Sequence, residues 1–317
     1  MIQAIPYIIK KAGLIMLTDD LKKSVQSAAS EVYFDEPMSR HTTFKIGGNA
    51  DAFCIVKNTE ELLTVLKLCR EKSIPYMTVG NGSNMLVGDG GIRGVVIKPG
   101  GDFLNVEING TRAVAGSGVL LSKLCSTLLK NSLSGLEFAA GIPGTVGGGV
   151  FMNAGAYEGM LSQRIKRVAF VNENGELMSL TADKLDFGYR HSYFSDKKCI
   201  ITECEFELEK GNADEISAKI IDYNKRRSDK QPLEMPSAGS TFKRPEGHFA
   251  GKLIQDSGLM GYSVGGAAVS EKHAGFVVNK GGATASDVMK LIVEIKKIVF
   301  DKYGVMLEEE VRLIGEK

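Results

Sequence analysis

The sequence has few of the residues from which metal centres and disulfide frameworks are built. Its 317 residues include five cysteines and four histidines. The cysteines are scattered, odd in number and without a C-x-x-C pair, a pattern typical of reduced structural thiols in a cytosol. We therefore expect no metal site, no disulfide and a cytoplasmic protein.

An excess of charge of one sign is also missing. Lysine and arginine number 39 and aspartate and glutamate 38, so no basic field favours nucleic acid and no acidic tail indicates disorder. The apolar run in residues 1–16 is broken by Lys10 and Lys11 and is too short to span a bilayer. We expect a globular monomer without nucleic-acid or membrane partners, and the start codon, Met1 or Met16, stays open.

Both of the helix-based nucleotide fingerprints are absent. No G-x-x-x-x-G-K-[ST] occurs. A G-x-G-x-x-G pattern begins at Gly80 but has Met85 at the last glycine, and more glycine-rich loop follows where a helix should start. The sequence therefore indicates neither a P-loop nor a Rossmann site.

Glycine, by contrast, is abundant in residues 141–157, GIPGTVGGGVFMNAGAY. Six of these seventeen residues are glycine and none is charged. Glycine costs roughly 0.5–1 kcal/mol relative to alanine inside regular structure, so folding alone argues against such a run. A backbone without Cβ atoms can approach a pyrophosphate and point N–H groups at it. The alternative is a series of tight turns at a domain corner.

A second glycine-rich stretch, residues 79–94, favours the phosphate interpretation. Two such loops fit a long ligand with two phosphates better than a single turn does. A dinucleotide held without either helix-based fingerprint favours flavin over nicotinamide or ATP. The predicted cofactor-binding residues are Gly80, Asn81, Gly82, Ser83, Asn84, Gly141, Ile142, Pro143, Gly144, Thr145, Gly147, Gly148, Asn153, Ala154 and Gly155.

Alternating strand and helix patterns predict an α+β fold with mixed sheets. Thr18 is the expected N-cap of the first helix, and Asn109-Gly110 predicts a hairpin turn. Ser286 is the expected N-cap of a long helix that stops at Gly304.

Six stretches, taken together, resemble the UDP-N-acetylenolpyruvoylglucosamine reductase family. They are HTTFKIGGNAD (41–51), VGNGSNMLV (79–87), GIPGTVGGGVFMNAGAY (141–157), YRHSYF (189–194), SAGSTFKRP (237–245) and LEEEVRLIG (307–315). The similarity runs from about Arg40 to the C-terminus in the expected order.

The resemblance implies an FAD-binding domain of the vanillyl-alcohol-oxidase (PCMH) type followed by a smaller α+β substrate-binding domain. The polar segment 209–214 is the best candidate for the boundary between them. We expect an N-terminal extension and helix over residues 1–33, the FAD-binding domain over 34–210 and the substrate-binding domain over 211–317. The last strand is the one element that we allow to return to the FAD-binding domain.

The resemblance also implies a two-step reaction with non-covalently bound FAD and with NADPH as co-substrate. NADPH reduces FAD, and the flavin then reduces UDP-N-acetylglucosamine enolpyruvate to UDP-N-acetylmuramate in peptidoglycan precursor synthesis. Only fifty positions separate Arg190 from Ser240, which leaves no room for the tyrosine-bearing loop of the longer family members. The chain therefore resembles the short, second type, and the residue that replaces that lid stays open.

Two catalytic residues follow from the resemblance and fit the chemistry. Arg190 aligns with the catalytic arginine, whose permanently charged planar fork suits a substrate carboxylate. The alternative is a structural ion pair with Asp183 or Asp186. Ser240 matches the serine that gives a proton to the substrate carbanion, and the alternative is an ordinary turn residue.

Glu310 matches the catalytic glutamate of the family. Alternation predicts a last strand over residues 305–314, in which one of Glu308 and Glu310 is solvated and the other is paired with Arg312. By resemblance, Glu310 orients Arg190 or, with a raised pKa, acts as a neutral hydrogen-bond donor. The sequence leaves both roles open.

Tyr189, Lys230 and His273 are the candidate substrate-binding residues by approximate alignment. Lys230 is expected to meet the diphosphate, although the basic run at residues 225–227 also fits a solvated helix end. Two rival functions stay open: an oxidase with covalently held FAD, and a nucleotide-binding module without catalysis. Residues 141–157 offer no histidine or cysteine for a covalent link, which disfavours the first rival.

Overall fold

A four-stranded mixed sheet carries the first part of the chain in the computed structural model, which describes residues 17–317. Its strand order is β1-β2-β5-β3, with β1 antiparallel and the others parallel. Thr18 caps the first helix as predicted, because its hydroxyl accepts the N–H of Leu21 at 3.4 Å. The elements of this part are α1 (Asp19–Ala28), β1 (Glu31–Pro37), β2 (Asn49–Val56), α2 (Thr59–Glu71), β3 (Tyr76–Thr78), β4 (Met85–Val87) and β5 (Ile92–Pro99). The predicted features of residues 1–16 lie outside the described residues.

A five-stranded antiparallel sheet of order β12-β11-β13-β7-β6 follows. The predicted hairpin is confirmed, since Asn109 pairs with Arg112 around Gly110, whose φ is +63°. Helices α3 and α4 contribute to its apolar core. The elements are β6 (Val106–Asn109), β7 (Arg112–Gly116), α3 (Leu121–Lys130), β8 (Leu133–Ser134), α4 (Val146–Phe151), β9 (Gly155–Ala156), β10 (Gly159–Met160), β11 (Ile165–Val171), β12 (Leu177–Thr181), β13 (Ile200–Glu207) and β14 (Glu209–Lys210).

A four-stranded antiparallel sheet of order β15-β18-β17-β16 forms the third part, with α6 and α7 in its core. Helix α5 instead packs on the core of the five-stranded sheet through Tyr223. The elements are α5 (Ala213–Lys230), β15 (Ser237–Ser240), α6 (Ala250–Asp256), β16 (Ser263–Val264), β17 (Ala267–Val269), β18 (Phe276–Asn279), α7 (Ala285–Tyr303) and β19 (Arg312–Ile314). None of the helices in residues 17–317 is long and apolar enough to cross a bilayer.

The N-cap of α7 is Thr284, so the prediction of Ser286 was wrong. The Thr284 hydroxyl accepts the N–H of Asp287 at 3.0 Å, and the Asp287 carboxylate accepts the N–H of Thr284 at 3.1 Å. This reciprocal capping box places Ser286 inside the first turn, where its hydroxyl donates to Asp89 at 2.7 Å. Gly304, with φ +68°, ends the helix as predicted.

The predicted strand over residues 305–314 was wrong in its first seven residues. Only Arg312–Ile314 form a regular strand, β19, which runs parallel to β4 in the first part of the chain. Upstream, the carbonyl of Thr241 accepts both the N–H of Glu310 at 2.9 Å and that of Val311 at 3.4 Å. One acceptor shared by two successive donors breaks the regular ladder. The last strand thus lies beside a strand of the predicted FAD-binding range.

Candidate active site

The two glycine-rich loops lie against each other. The side-chain amide of Asn81 donates to the carbonyl of Pro143 at 2.8 Å. A Cβ atom at Gly80 would collide with Thr145 Oγ1, so glycine at this position permits the close approach. The structure therefore brings together two predicted cofactor-binding loops that are about sixty residues apart in the sequence.

Several main-chain N–H groups in these loops have no hydrogen-bond partner among the described residues. The N–H groups of residues 80–84 have no hydrogen-bond partner within residues 17–317, and the same holds for those of Gly144 and Thr145. Unpaired main-chain N–H groups are rare in folded proteins, and successive ones form concave anion sites. The two loops therefore fit the pyrophosphate of a dinucleotide such as FAD.

The start of α4 has fewer free N–H groups for a ligand than the sequence suggested. Val146 and Gly147 donate their N–H groups to the carbonyls of Val119 and Ser117, each at 2.8 Å. A Cβ at Gly147 would lie 2.9 Å from Ser117 Cβ, so this glycine serves packing. A Cβ at Gly148 would meet only Thr145 Oγ1 at 3.5 Å, and Gly148 is exposed. Of the two glycines, only Gly148 leaves room for a ligand.

Asn153 has both ends of its amide engaged inside the protein. Its nitrogen donates to the carbonyl of Gly188 at 2.9 Å, its oxygen accepts the N–H of Ser162 at 3.1 Å, and the residue is 2% exposed. It thereby positions the segment that leads to Arg190. Its half-buried neighbour Ala154 donates its N–H to Gly149.

Most of the remaining predicted cofactor-binding residues are in contact with other parts of the protein. A Cβ at Gly155 would lie 2.7 Å from the carbonyl of Gly159, and one at Gly82 would collide with the carbonyl of His41. Ile142 packs on the core of the five-stranded sheet. Ser83 is half-buried between Gly82 and Asn84.

Arg190 and Glu310 form a largely buried ion pair. Arg190 Nε donates to Glu310 Oε1 at 2.6 Å, and the two side chains are 21% and 13% exposed. The alternative partners are excluded by position, since Asp186 lies 3.3 Å from His191 Nε2 and Asp183 forms no salt bridge within residues 17–317. Arg190 has a φ of +56°, a conformation that non-glycine residues rarely adopt and that clusters at functional sites.

Ser240 lies near this ion pair in the fold, because the next residue, Thr241, is hydrogen-bonded to Glu310 at the main chain. The carbonyl of Thr241 accepts the N–H of Glu310, and the side-chain amide of Asn84 donates to the carbonyl of Glu310 at 3.1 Å. Ser240 is exposed, and its hydroxyl has no hydrogen-bond partner within residues 17–317. The loop of residues 80–84, Ser240 and Glu310 therefore converge at the main chain.

The other charges of the last segment are paired differently from the prediction. Lys243 binds Glu308 at 2.5 Å, and Lys296 binds Glu309 at 2.8 Å. Arg312 pairs with neither Glu308 nor Glu310; its guanidinium carbon lies 4.7 Å from the ring centroid of Phe151.

The three predicted substrate-binding residues fall into two places. The hydroxyl of Tyr189 accepts the N–H of Arg244 at 3.3 Å, and its ring centroid lies 5.2 Å from the guanidinium carbon of Arg190. Burial lowers the pKa of His273, and the positive charge of Lys230 lowers it further against an opposing hydrogen bond to the main chain.

Arg227 is a candidate that the sequence interpretation missed. Its neighbours Lys225 and Arg226 form exposed ion pairs with Asp229 and Asp222, both at 2.7 Å, but Arg227 forms none within residues 17–317. The i,i+4 spacing of those two pairs was visible in the sequence and leaves Arg227 as the residue without a carboxylate. The solvated-end interpretation is correct for Lys225 and Arg226 but wrong for Arg227.

Comparison with known proteins agrees with this geometry. Residues 50–181 match an FAD binding domain, and residues 231–314 match the C-terminal domain of UDP-N-acetylenolpyruvoylglucosamine reductase. A UDP-N-acetylenolpyruvoylglucosamine reductase from Clostridium botulinum (strain Hall) is 52% identical over 291 residues, which cover 91% of this chain and 94% of the relative. The chain belongs to the UDP-N-acetylenolpyruvoylglucosamine reductase family.

Two further relatives support this membership. The reductase of Lachnoclostridium phytofermentans is 49% identical over 306 residues, covering 95% of this chain and 98% of the relative. The crystal structure of the Thermus caldophilus reductase superimposes with a TM-score of 0.78 at 34% identity, over 90% of this chain and 98% of that one. The chain is accordingly an FAD-dependent oxidoreductase, and the expectations of family, of an α+β fold and of FAD are confirmed.

Proposed function

We propose that the protein reduces UDP-N-acetylglucosamine enolpyruvate to UDP-N-acetylmuramate, with NADPH as the source of the hydride. The observation that carries the proposal is the Arg190–Glu310 ion pair, with Glu310 hydrogen-bonded at the main chain to Thr241, the residue that follows Ser240. Family membership supports the substrate, and the cytosol is the proposed location because all five cysteines are free thiols. We propose a monomer that acts on small molecules, with neither nucleic acid nor membrane as partner.

FAD is proposed to bind without a covalent bond, because residues 141–157 contain no histidine or cysteine. The unpaired N–H groups of residues 80–84, with those of Gly144 and Thr145, would hold its pyrophosphate, and Gly148 leaves room beside them. When bound, FAD supplies a hydride for the terminal carbon of the enolpyruvyl group. The protein must then bind the carboxylate, deliver a proton and exclude water.

Arg190 is proposed to bind the substrate carboxylate. Glu310 accepts a hydrogen bond from Nε and fixes the guanidinium plane, which leaves the two Nη groups for a planar, bidentate contact. Hydride addition leaves negative charge on the carbon next to the carboxylate, and a fixed cation stabilises the charge that spreads onto the carboxylate oxygens. Tyr189 would close one side of this position.

Ser240 is proposed to donate the proton to that carbon. Its hydroxyl is exposed and makes no internal hydrogen bond, so no bond within residues 17–317 has to break before transfer. The carbanion is a strong base and accepts a proton from a weak acid, after which the serine oxygen takes a proton from solvent. Lys230 and His273 are proposed to contact the diphosphate end of the substrate.

Two measurements test this function. The purified protein should be yellow, and acid precipitation should leave FAD in the supernatant. Under anaerobic conditions NADPH should bleach the flavin, and the enolpyruvyl substrate should restore its colour, whereas UDP-N-acetylglucosamine should not. Flavin that stays with the precipitate would indicate a covalent oxidase, a colourless protein a non-catalytic nucleotide binder, and a bleached flavin unmoved by the substrate would exclude the proposed reaction.

A further inference from the structure

Arg227 carries a charge that nothing in the described chain balances. Its guanidinium forms no hydrogen bond or salt bridge within residues 17–317, and its Nε atom is buried. Burial lowers the pKa of Arg227, against a smaller opposing effect of Tyr157. A cation partly removed from water without an anion is unfavourable, so a ligand that supplies the anion would stabilise it.

The side chain lies over the beginning of the main glycine loop. A Cβ at Gly141 would lie 2.7 Å from Asn224 Oδ1, 3.0 Å from Arg227 Cδ and 3.8 Å from Arg227 Nη1, so the glycine allows both side chains of α5 to approach the loop. Gly144 and Thr145, in the same loop, have the unpaired N–H groups described above. A free cation and free main-chain donors therefore line one short segment.

An aromatic pair, exposed Tyr157 and half-buried Tyr223, lies beside this cation, because Tyr223 precedes Arg227 by about one turn of α5. Tyr157 is 45% exposed and has a φ of +57°, and its ring stacks on Tyr223 with 4.4 Å between the centroids. Its hydroxyl donates to the carbonyl of Tyr223 at 2.6 Å, which holds the ring in this position. A flat aromatic surface next to a free guanidinium is typical of nucleotide sites.

We propose that Arg227 binds a phosphate group that lies on the loop of residues 141–145. Its planar fork donates to phosphate oxygens that also accept the loop N–H groups. The inference rests on the proposed function, because FAD and the UDP-sugar substrate each bring a diphosphate. The ligand chemistry is the same for both, and binding measurements separate them.

The test uses Arg227→Gln, which removes the charge, and Arg227→Lys, which keeps the charge but loses the fork. Arg226→Gln is the matched control, since it removes one positive charge from the adjacent, solvated position. Flavin-free protein is titrated with FAD, and FAD-loaded protein is titrated with UDP, followed by flavin absorbance. Losing a charge-assisted hydrogen bond corresponds to roughly 10–100-fold, so Arg227→Gln should weaken one of the two affinities by about that factor. Arg227→Lys should lie between Arg227→Gln and the wild type, and Arg226→Gln should match the wild type.

The pattern of affinity losses shows which ligand supplies the phosphate. A loss confined to FAD assigns the phosphate to the cofactor, and a loss confined to UDP assigns it to the substrate. Unchanged affinities for both, or an equal loss in Arg226→Gln, would overturn the proposal. If Arg227→Gln does not fold, Arg227→Lys with wild-type affinities for both ligands overturns it as well. A loss confined to UDP would reassign the N–H groups of Gly144 and Thr145 from FAD to the substrate. None of these results touches the proposed reaction, which the wild-type enzyme tests separately with the enolpyruvyl substrate.

Discussion

The side-chain amide of Asn84 donates a hydrogen bond across 3.1 Å to the main-chain carbonyl of Glu310, 226 residues further along the chain. The carbonyl of Asn84 in turn accepts the N–H of Arg312 at 3.0 Å. The loop with the free N–H groups and the segment with the Glu310 carboxylate are thus held together at the main chain.

Gly148→Val should give a folded protein without flavin. The position is exposed and its new Cβ would meet only Thr145 Oγ1, so stability should change little while the ligand loses space. Flavin absorbance and the thermal midpoint, measured on the same preparation, check both statements. Gly147→Val is the contrast: its side chain would press on Ser117 and should lower the thermal midpoint. Equimolar FAD in Gly148→Val would show that this face is not part of the cofactor site.

Arg190→Lys should slow flavin reoxidation by the enolpyruvyl substrate and leave reduction by NADPH near the wild-type rate. Lysine keeps the charge but cannot bind Glu310 and a carboxylate with one planar group. The loss should be on the order of 10²–10³, the size seen when one donor to a transition state is removed. Arg167→Lys, whose side chain on β11 is 55% exposed, is the control. Wild-type reoxidation in Arg190→Lys would reduce the Glu310 contact to a structural ion pair.

Ser240→Ala should separate the two half-reactions. Bleaching by NADPH requires no carbon protonation and should be normal, whereas reoxidation by the substrate should fall by about 10²–10⁴-fold, the usual contribution of a general acid. Ser240→Cys should recover part of the rate, because a thiol with a pKa of about 8.5 can donate a proton. Ser237→Ala, in the same strand, is the control. Anaerobic stopped-flow measures both phases; a defect in bleaching instead would mean that Ser240 shapes the flavin site.

Asp89→Ala should destabilise the contact between the glycine-rich stretch of residues 79–94 and α7. The Asp89 carboxylate accepts the N–H groups of Ala285 and Ser286 at 2.7 and 2.9 Å and the Ser286 hydroxyl at 2.7 Å. Loss of a capping acceptor costs about 0.5–2 kcal/mol in free energy of unfolding, which urea denaturation at pH 7 can measure. Asp301→Ala, at an exposed aspartate with one surface ion pair to Lys297, should cost less.

The contribution of Asp89 should also depend on pH. Burial alone would raise the pKa of Asp89, but the hydrogen bonds from Ser286 and Ala285 outweigh it and lower the pKa. A carboxyl whose pKa is lower in the folded state stabilises the fold above its unfolded value of about 3.9. That stabilisation is lost as the pH falls through the folded value. The stability difference between wild type and Asp89→Ala should therefore shrink from pH 7 to pH 3, and a constant difference would contradict this explanation.

Local signals predicted much of the secondary structure, because caps and turns depend on neighbouring residues. The Thr18 cap, the Asn109-Gly110 turn and the end of α7 at Gly304 were all predictable from their own surroundings. The Ser286 prediction failed because two hydroxyl residues, Thr284 and Ser286, compete for one cap. Of the two, Thr284 has the carboxylate of Asp287 three residues later, which closes the capping box.

Contacts between distant segments could not be predicted in this way. That Arg190 would face Glu310 followed from the resemblance alone, since no local pattern relates residues 120 positions apart. The alternation over residues 305–314 suggested a long strand, but pairing depends on what lies opposite, and Thr241 offers one carbonyl to two donors. Glycines 141 and 147 look like ligand contacts in the sequence. In the structure Gly141 makes room for Asn224 and Arg227, and Gly147 makes room for Ser117.

The parallel pairing of β19 with β4 also constrains how the protein is made. During synthesis, residues 80–87 leave the ribosome long before Arg312–Ile314 are made. Strand β4 therefore has no partner strand until the C-terminus is complete. During that interval Arg190 is already present but the carboxylate that fixes it is not. A nascent chain halted before residue 305 should therefore be unable to assemble the reducing centre, whatever the supply of flavin in the cell.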